Sequence, residues 1–194
     1  MTASIEEKKN EVRLVLQTFQ DGYTRRDVSR VAETMQLFDD SPETEIIGTN
    51  AMKIGKGEWC LGMEKARCLL ESDWKDWGDV KINVDSARIF VYGDVAWLSA
   101  EMTTSEHLKS EEIYESMANS ASKVLAEKTR DAKFRVLEAI RWMSNVNYEL
   151  ERGEDFVWPM RFTAVLINRD GKWLFTHMQF SYPCSSLPDE RWMG

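Results

Sequence analysis

An α+β fold is predicted from three observations. Apolar residues recur at helical spacing near the N-terminus, and apolar/polar alternation of period two fills the middle and the end of the chain. Gly93-Asp94 and Asp170-Gly171 sit as turns between alternating runs. Helices followed by a strongly bent antiparallel sheet are the layers this order implies. The 194 residues fit one domain, or a domain with a large insertion, and bury a core without disulfides or metal.

Ile5, Val12, Val15, Leu16 and Phe19 define a first amphipathic helix. Ser4 and Glu7 form its capping box, and the exit is expected at Asp21-Gly22. Asp27 is placed to cap a second helix carrying Val28, Val31, Met35 and Phe38. Ser41-Pro42 breaks the chain, Glu45 to Gly48 reads as a short strand, and a glycine-rich stretch runs to Gly62. Met63 to Trp74 reads as a third helix with Leu69 and Leu70 inward. Val80 to Tyr92 and Val95 to Thr104 read as a hairpin of two long strands. From Glu106 to Arg152 the period is helical, with no Pro or Gly. The polar patch Glu127 to Lys133 either divides this stretch into two helices or lies within one. Arg161 to Asn168 and Trp173 to Tyr182 form a last hairpin, closed by Pro183 and Pro188.

Formal net charge is −8, with Lys and Arg interleaved among Asp and Glu. This argues against nucleic acid and against anionic membrane surfaces, both of which need a basic stripe. No stretch has the length of a membrane span. The polar opening, Met1 to Asn10, lacks the apolar core of a signal peptide, so a cytoplasmic protein is expected. Cys60, Cys68 and Cys184 read as reduced, small buried hydrophobes. His107 and His177 lie on different elements without a Cys partner, and Gly55-Lys56-Gly57 is not a phosphate loop. No metal site and no cofactor are therefore expected.

Several local patterns resemble the nuclear transport factor 2-like superfamily, in its SnoaL-like branch. They are Phe19-Gln20-Asp21-Gly22-Tyr23, Ile46-Ile47-Gly48-Thr49 with Gly62 and a helix ending Asp73-Trp74, and Val91-Tyr92-Gly93-Asp94-Val95-Ala96-Trp97. To these are added Arg161-Phe162-Thr163, Asp170-Gly171-Lys172-Trp173 and His177-Met178-Gln179-Phe180-Ser181-Tyr182-Pro183. The resemblance covers residues 5–104 and 157–188. It implies a cystatin-like cone, with N-terminal helices packed on a curved antiparallel sheet around a pocket. It places residues 1–194 in one SnoaL-like domain containing a long helical insertion at 105–155, and it implies a homodimer formed through the sheet. Gln179 stands where relatives often carry a second His, and the insertion replaces a short connection.

Strand alternation puts His177, Gln179 and Ser181 in one row with Trp173 and Phe175. Arg161 and Thr163 share a face, and so do Trp97, Ser99, Glu101 and Thr103. If all three rows look into the concave side, they form an aromatic pocket with a few polar groups, the usual form of a small-molecule site. His177 is then an acid, base or donor, or else a buried His satisfied by backbone or by Glu101. Arg161 binds a carboxylate, or pairs with Glu101. Glu101 is the candidate base on strand parity, or a satisfied acid. Tyr23, Trp59 and Trp97 line the cone, while Trp74 and Trp77 are read as core. Asp39 and Asp40 are read as a solvated turn.

These residues suit a domain binding a small molecule, such as a carboxylate or carbonyl compound. The alternatives are an isomerase, dehydratase or cyclase using a pocket acid–base, as the resemblance permits, and a protein-interaction module acting through the insertion. The amphipathic insertion must bury its apolar stripe, as a lid, a dimerisation arm or a docking surface.

Overall fold

The computed structural model describes residues 4–107, 109–151 and 153–182. They form two compact units, one of residues 4–104 with 158–182 and the other of residues 105–157.

The first unit is helices packed on a curved open sheet. Helix α1, Ile5–Arg25, opens on the expected cap: Ser4 Oγ accepts from Glu7 N, and the Glu7 carboxylate accepts from Ser4 N. It buries Val12, Leu16, Phe19 and Tyr23. The helix runs past Gly22 and ends at Arg26, which takes the left-handed conformation itself (φ 51°). Gly22 serves a different need. A Cβ there would sit 2.9 Å from Thr34 Oγ1 and 3.1 Å from the Trp74 ring, so the glycine lets helices approach closely. Asp27 caps a 3-10 turn, Val28–Arg30, which leads into a short α2, Val31–Met35.

Strands β1, Glu45–Ile47, and β2, Trp59–Leu61, precede α3, Met63–Asp76. Then come β3, Asp79–Ile82; β4, Arg88–Tyr92; β5, Val95–His107; β6, Asp155–Arg169; and β7, Lys172–Ser181. The order across the sheet is β2-β1-β7-β6-β5-β3, with β4 also on β5. The single long strand expected over 80–92 is thus two, interrupted at residues 83–87, and both pair with β5. Arg13 of α1 donates to the carbonyls of Val84, Asp85 and Ala87, which have no ladder partner in that interruption.

Helix α1 packs across β3, β4 and β7. Its Phe19 stacks on Phe162 (5.9 Å) and meets Phe38 and Phe175, while Phe180 touches Phe162. The concave face of the sheet is therefore filled by phenylalanine rings and Met178. Asp39, expected in solvent, is buried. It takes two hydrogen bonds from the Arg169 guanidinium (2.6 and 3.0 Å), which tie the end of α2 to the last hairpin. Asp40 is exposed. Cys60 is half-buried and Cys68 exposed, not a buried hydrophobe; Cys184, Pro183 and Pro188 lie outside the described residues.

In the second unit α4, Ser110–Ala126, packs on α5, Ala132–Leu150, so the polar patch divides two helices. Asp131 accepts from Phe134 N at the start of α5, and Arg130 lies over the Phe134 ring while pairing with Glu138. Met117, Ala121, Ala139 and Val146 are buried, while Tyr114, Leu125, Val136 and Ile140 are exposed. His107 Nδ1 hydrogen-bonds Asp155 at 2.7 Å.

Candidate functional site

The polar members of the three predicted rows do share a face of the sheet, but it is the outer one. On β5 the residues Trp97, Ser99 and Glu101 are exposed, while Ala96, Leu98 and Ala100 are buried. On β6 the residues Arg161 and Thr163 are exposed, while Phe162 and Ala164 are buried. On β7 the reason is local. Val165 pairs with His177 and Leu166 with Phe175, leaving Thr176 as the extra residue of a β-bulge. Trp173 and Phe175 before the bulge point inward, as the alternation predicts. Beyond it the parity inverts, so Met178 and Phe180 are buried and His177, Gln179 and Ser181 turn outward.

His177 finds its acid on the parallel neighbour, where Glu45 is its register partner. Nδ1 hydrogen-bonds Glu45 Oε2 at 2.7 Å, and Trp59 Nε1 donates to Glu45 Oε1 at 2.5 Å. His177 and Trp59 thus meet through Glu45 on the outer face, not within a hollow. Arg161 donates to the Tyr182 carbonyl, and Trp97 stacks on Phe90 at 5.4 Å.

Of the predicted residues, Tyr23 bonds Asp73, which lines a cleft. This half-open cleft of about 160 Å³ lies between the loop after β1, the later turns of α3 and β7. Leu69, Ser72, Asp73 and Asp76 face it from α3 at spacings of three and four, which is one helix face. Gly48, Thr49, Asn50 and Glu58 supply the loop wall, and Trp77 and Phe180 supply rings meeting edge to face (6.1 Å). Trp77 is therefore a wall of the cleft and not core, whereas Trp74 is buried against Tyr23.

Tyr23 Oη donates to Asp73 Oδ2 at 2.7 Å. Burial pushes the Asp73 carboxyl up from 3.8 to about 7. The Glu58 charge adds to this rise, while the Tyr23 hydrogen bond and Arg26 oppose it. Burial likewise drives the Tyr23 phenol well above its ordinary value, so it stays a donor. Arg26 donates to the carbonyls of Asp73, Trp74 and Trp77, closing the end of α3 on which Asp73 stands. Glu58 is fixed across the cleft by Asn50 N (2.9 Å) and Asn50 Nδ2 (3.1 Å). Gly48 leaves room for it, since a Cβ there would fall 2.3 Å from Glu58 Oε2. A carboxyl titrating near neutrality beside a fixed donor can give or take a proton, or hold a hydrogen-bonding group of a ligand.

Asp73 and Glu58 were missed by strand-parity reasoning because neither lies on a strand. The usable signal was the spacing Leu69, Ser72, Asp73, Asp76, which puts acids beside an apolar residue on one face of α3. Among the described residues no cluster of His, Cys, Asp and Glu suits a metal ion, and no helix is long and apolar enough to cross a membrane.

No family model matches the chain, and no curated protein does. Solved structures do. A candidate dehydratase of the NTF2-like family from Streptomyces avermitilis matches 94% of this chain and 100% of its own, at TM-score 0.57 and 9% identity. An NTF2-like protein with a cystatin-like fold from Novosphingobium aromaticivorans matches 93% of this chain and 84% of its own, at TM-score 0.56 and 10% identity. The association domain of C. elegans CaMKII matches 93% and 99%, at TM-score 0.53 and 14% identity. The chain has the nuclear transport factor 2-like fold.

Proposed function

We propose that this chain binds a small polar molecule in the cleft over Asp73 and Tyr23. What carries the reading is a ~7 pKa carboxyl on a buried phenol, set in a cavity that has two aromatic rings in its wall. Arg161 faces the other side of the sheet, and the lining residues carry Glu58, Asp73 and Asp76 without a cation. A carboxylate ligand is therefore disfavoured, which narrows the expected class. The test is fragment binding followed by NMR. Shifts should gather on Leu69, Asp73, Trp77 and Phe180, and Ser72→Trp at the cleft mouth should abolish them. Shifts centred on His177 and Arg161 would refute the reading.

Asp73 also favours a second reading, an enzyme that moves a proton in the manner of an isomerase or dehydratase, the latter being the description carried by one structural neighbour. Its rate should bend near pH 7, and Asp73→Asn should remove that bend. Assembly as a homodimer is proposed through the outer sheet face, where stacked Phe90 and Trp97 are exposed. Trp97→Lys should then shift sedimentation to the monomer.

A further inference from the structure

Resting on the cleft reading, we propose that the ligand is a protonated amine with a compact apolar body. The argument starts from the cavity. Its volume, about 160 Å³, is close to the roughly 150 Å³ that accommodates one benzene in a protein interior. One wall is apolar: Leu69 and the edge-to-face rings of Trp77 and Phe180. A body of one ring, or a branched chain of similar size, matches that wall.

The opposite side is polar and of one sign. Carboxylates at an open surface would simply be solvated. Here Glu58, Asp73 and Asp76 border a walled space together with rings whose faces attract cations. Glu58 already accepts from Asn50 N and Nδ2, which hold it in place. One Asp73 oxygen is taken by Tyr23, whose ring is buried at 3% exposure. A ligand that meets the free oxygen of ionised Asp73 must therefore supply a donor, and an ammonium group supplies three donors with a positive charge. A carboxylate or phosphate ligand would add a like charge to this wall.

The groups that face Asp73 are Tyr23 and Arg26 at the end of α1, Glu58 after the β1 loop, Cys60 of β2 and Asp76 one turn along α3. A cation beside Asp73 favours its ionised form, so amine binding should strengthen as the carboxyl loses its proton. A ligand that only accepts hydrogen bonds should show the opposite slope.

Three probes of matched shape decide the matter: benzylamine, benzyl alcohol and benzoate, each titrated into the whole chain while the Trp77 and Phe180 resonances are followed. Benzylamine should bind at least about ten-fold tighter than benzyl alcohol at about pH 8, and should weaken about ten-fold by about pH 6. Benzoate should leave the cleft resonances unmoved. Glu58→Gln, which removes the charge and keeps one acceptor for Asn50 N, should reduce the amine preference about three-fold or more. Equal binding of amine and alcohol, or tighter binding at the lower pH, overturns the amine assignment and leaves the cleft reading standing. If none of the three probes moves the cleft resonances, both fall.

Discussion

Replacing Asp73 by Asn should make the protein more stable, by an amount that grows with pH. Raising the carboxyl from 3.8 to about 7 means that the fold prefers this group protonated. For a group whose folded pKa is raised, the stabilising contribution is fully present below the unfolded value. It is lost as pH climbs through the folded value, where the ionised form bears its whole desolvation cost. The rise corresponds to about 4 kcal/mol between the two forms. Solvent at the cleft mouth reduces this to about 2–3 kcal/mol. Asparagine keeps the shape and offers its amide oxygen to Tyr23 Oη, but it has no charge to desolvate. The stability difference between variant and native chain should therefore widen from about pH 4 to about pH 7, by roughly 1 kcal/mol per pH unit, and then level off. Urea unfolding at a series of pH values, read by circular dichroism, measures it. A difference that stays constant with pH, or a variant destabilised throughout, would show that Asp73 is not a desolvated acid.

Tyr23→Phe keeps the ring against Phe19, Trp74 and Phe180 but removes the bond to Asp73. It should cost about 1.5–3 kcal/mol at about pH 8 and less at about pH 5, and the Asp73 titration followed by carboxyl NMR should move higher still. Arg169→Ala strands the buried Asp39 carboxylate, which Arg169 now holds below its ordinary value. The variant should be destabilised near neutrality, and the loss should shrink on acidification as its Asp39 takes up a proton while the native one is still ionised, read by urea unfolding at a series of pH values. Deleting Thr176 removes only the extra residue: Phe175 stays inward and His177, Gln179 and Ser181 stay outward in the same register, so thermal melts should keep a cooperative unfolding transition.

Much of the architecture was legible in the chain because it rests on local chemistry. Ser4 with Glu7 caps α1, Asp170 (φ 52°) and Gly171 (φ 84°) adopt left-handed conformations at the last turn, and Asp27 caps the turn before α2. Each depends on residues within a few positions of one another. Periodicity also separated inward from outward residues on β5 and β6, although it could not say that the polar rows belong outside. The interruption at residues 83–87 escaped the alternation because Val84 and Ala87 are buried and keep the pattern apolar through the break.

What the sequence by itself determined is the first and third helices, the middle and last hairpins, the helical insertion, several caps and turns, and the alternation on β5 and β6, since those follow from neighbours a few residues apart. Only the tertiary structure decided which side of the sheet is packed, that Thr176 is skipped by the ladder, and that Tyr23, Glu58 and Asp73, fifteen to fifty positions apart, meet at one cleft. The physical reason is that a bulge and a desolvated carboxyl are properties of pairing and enclosure, set by partners far along the chain.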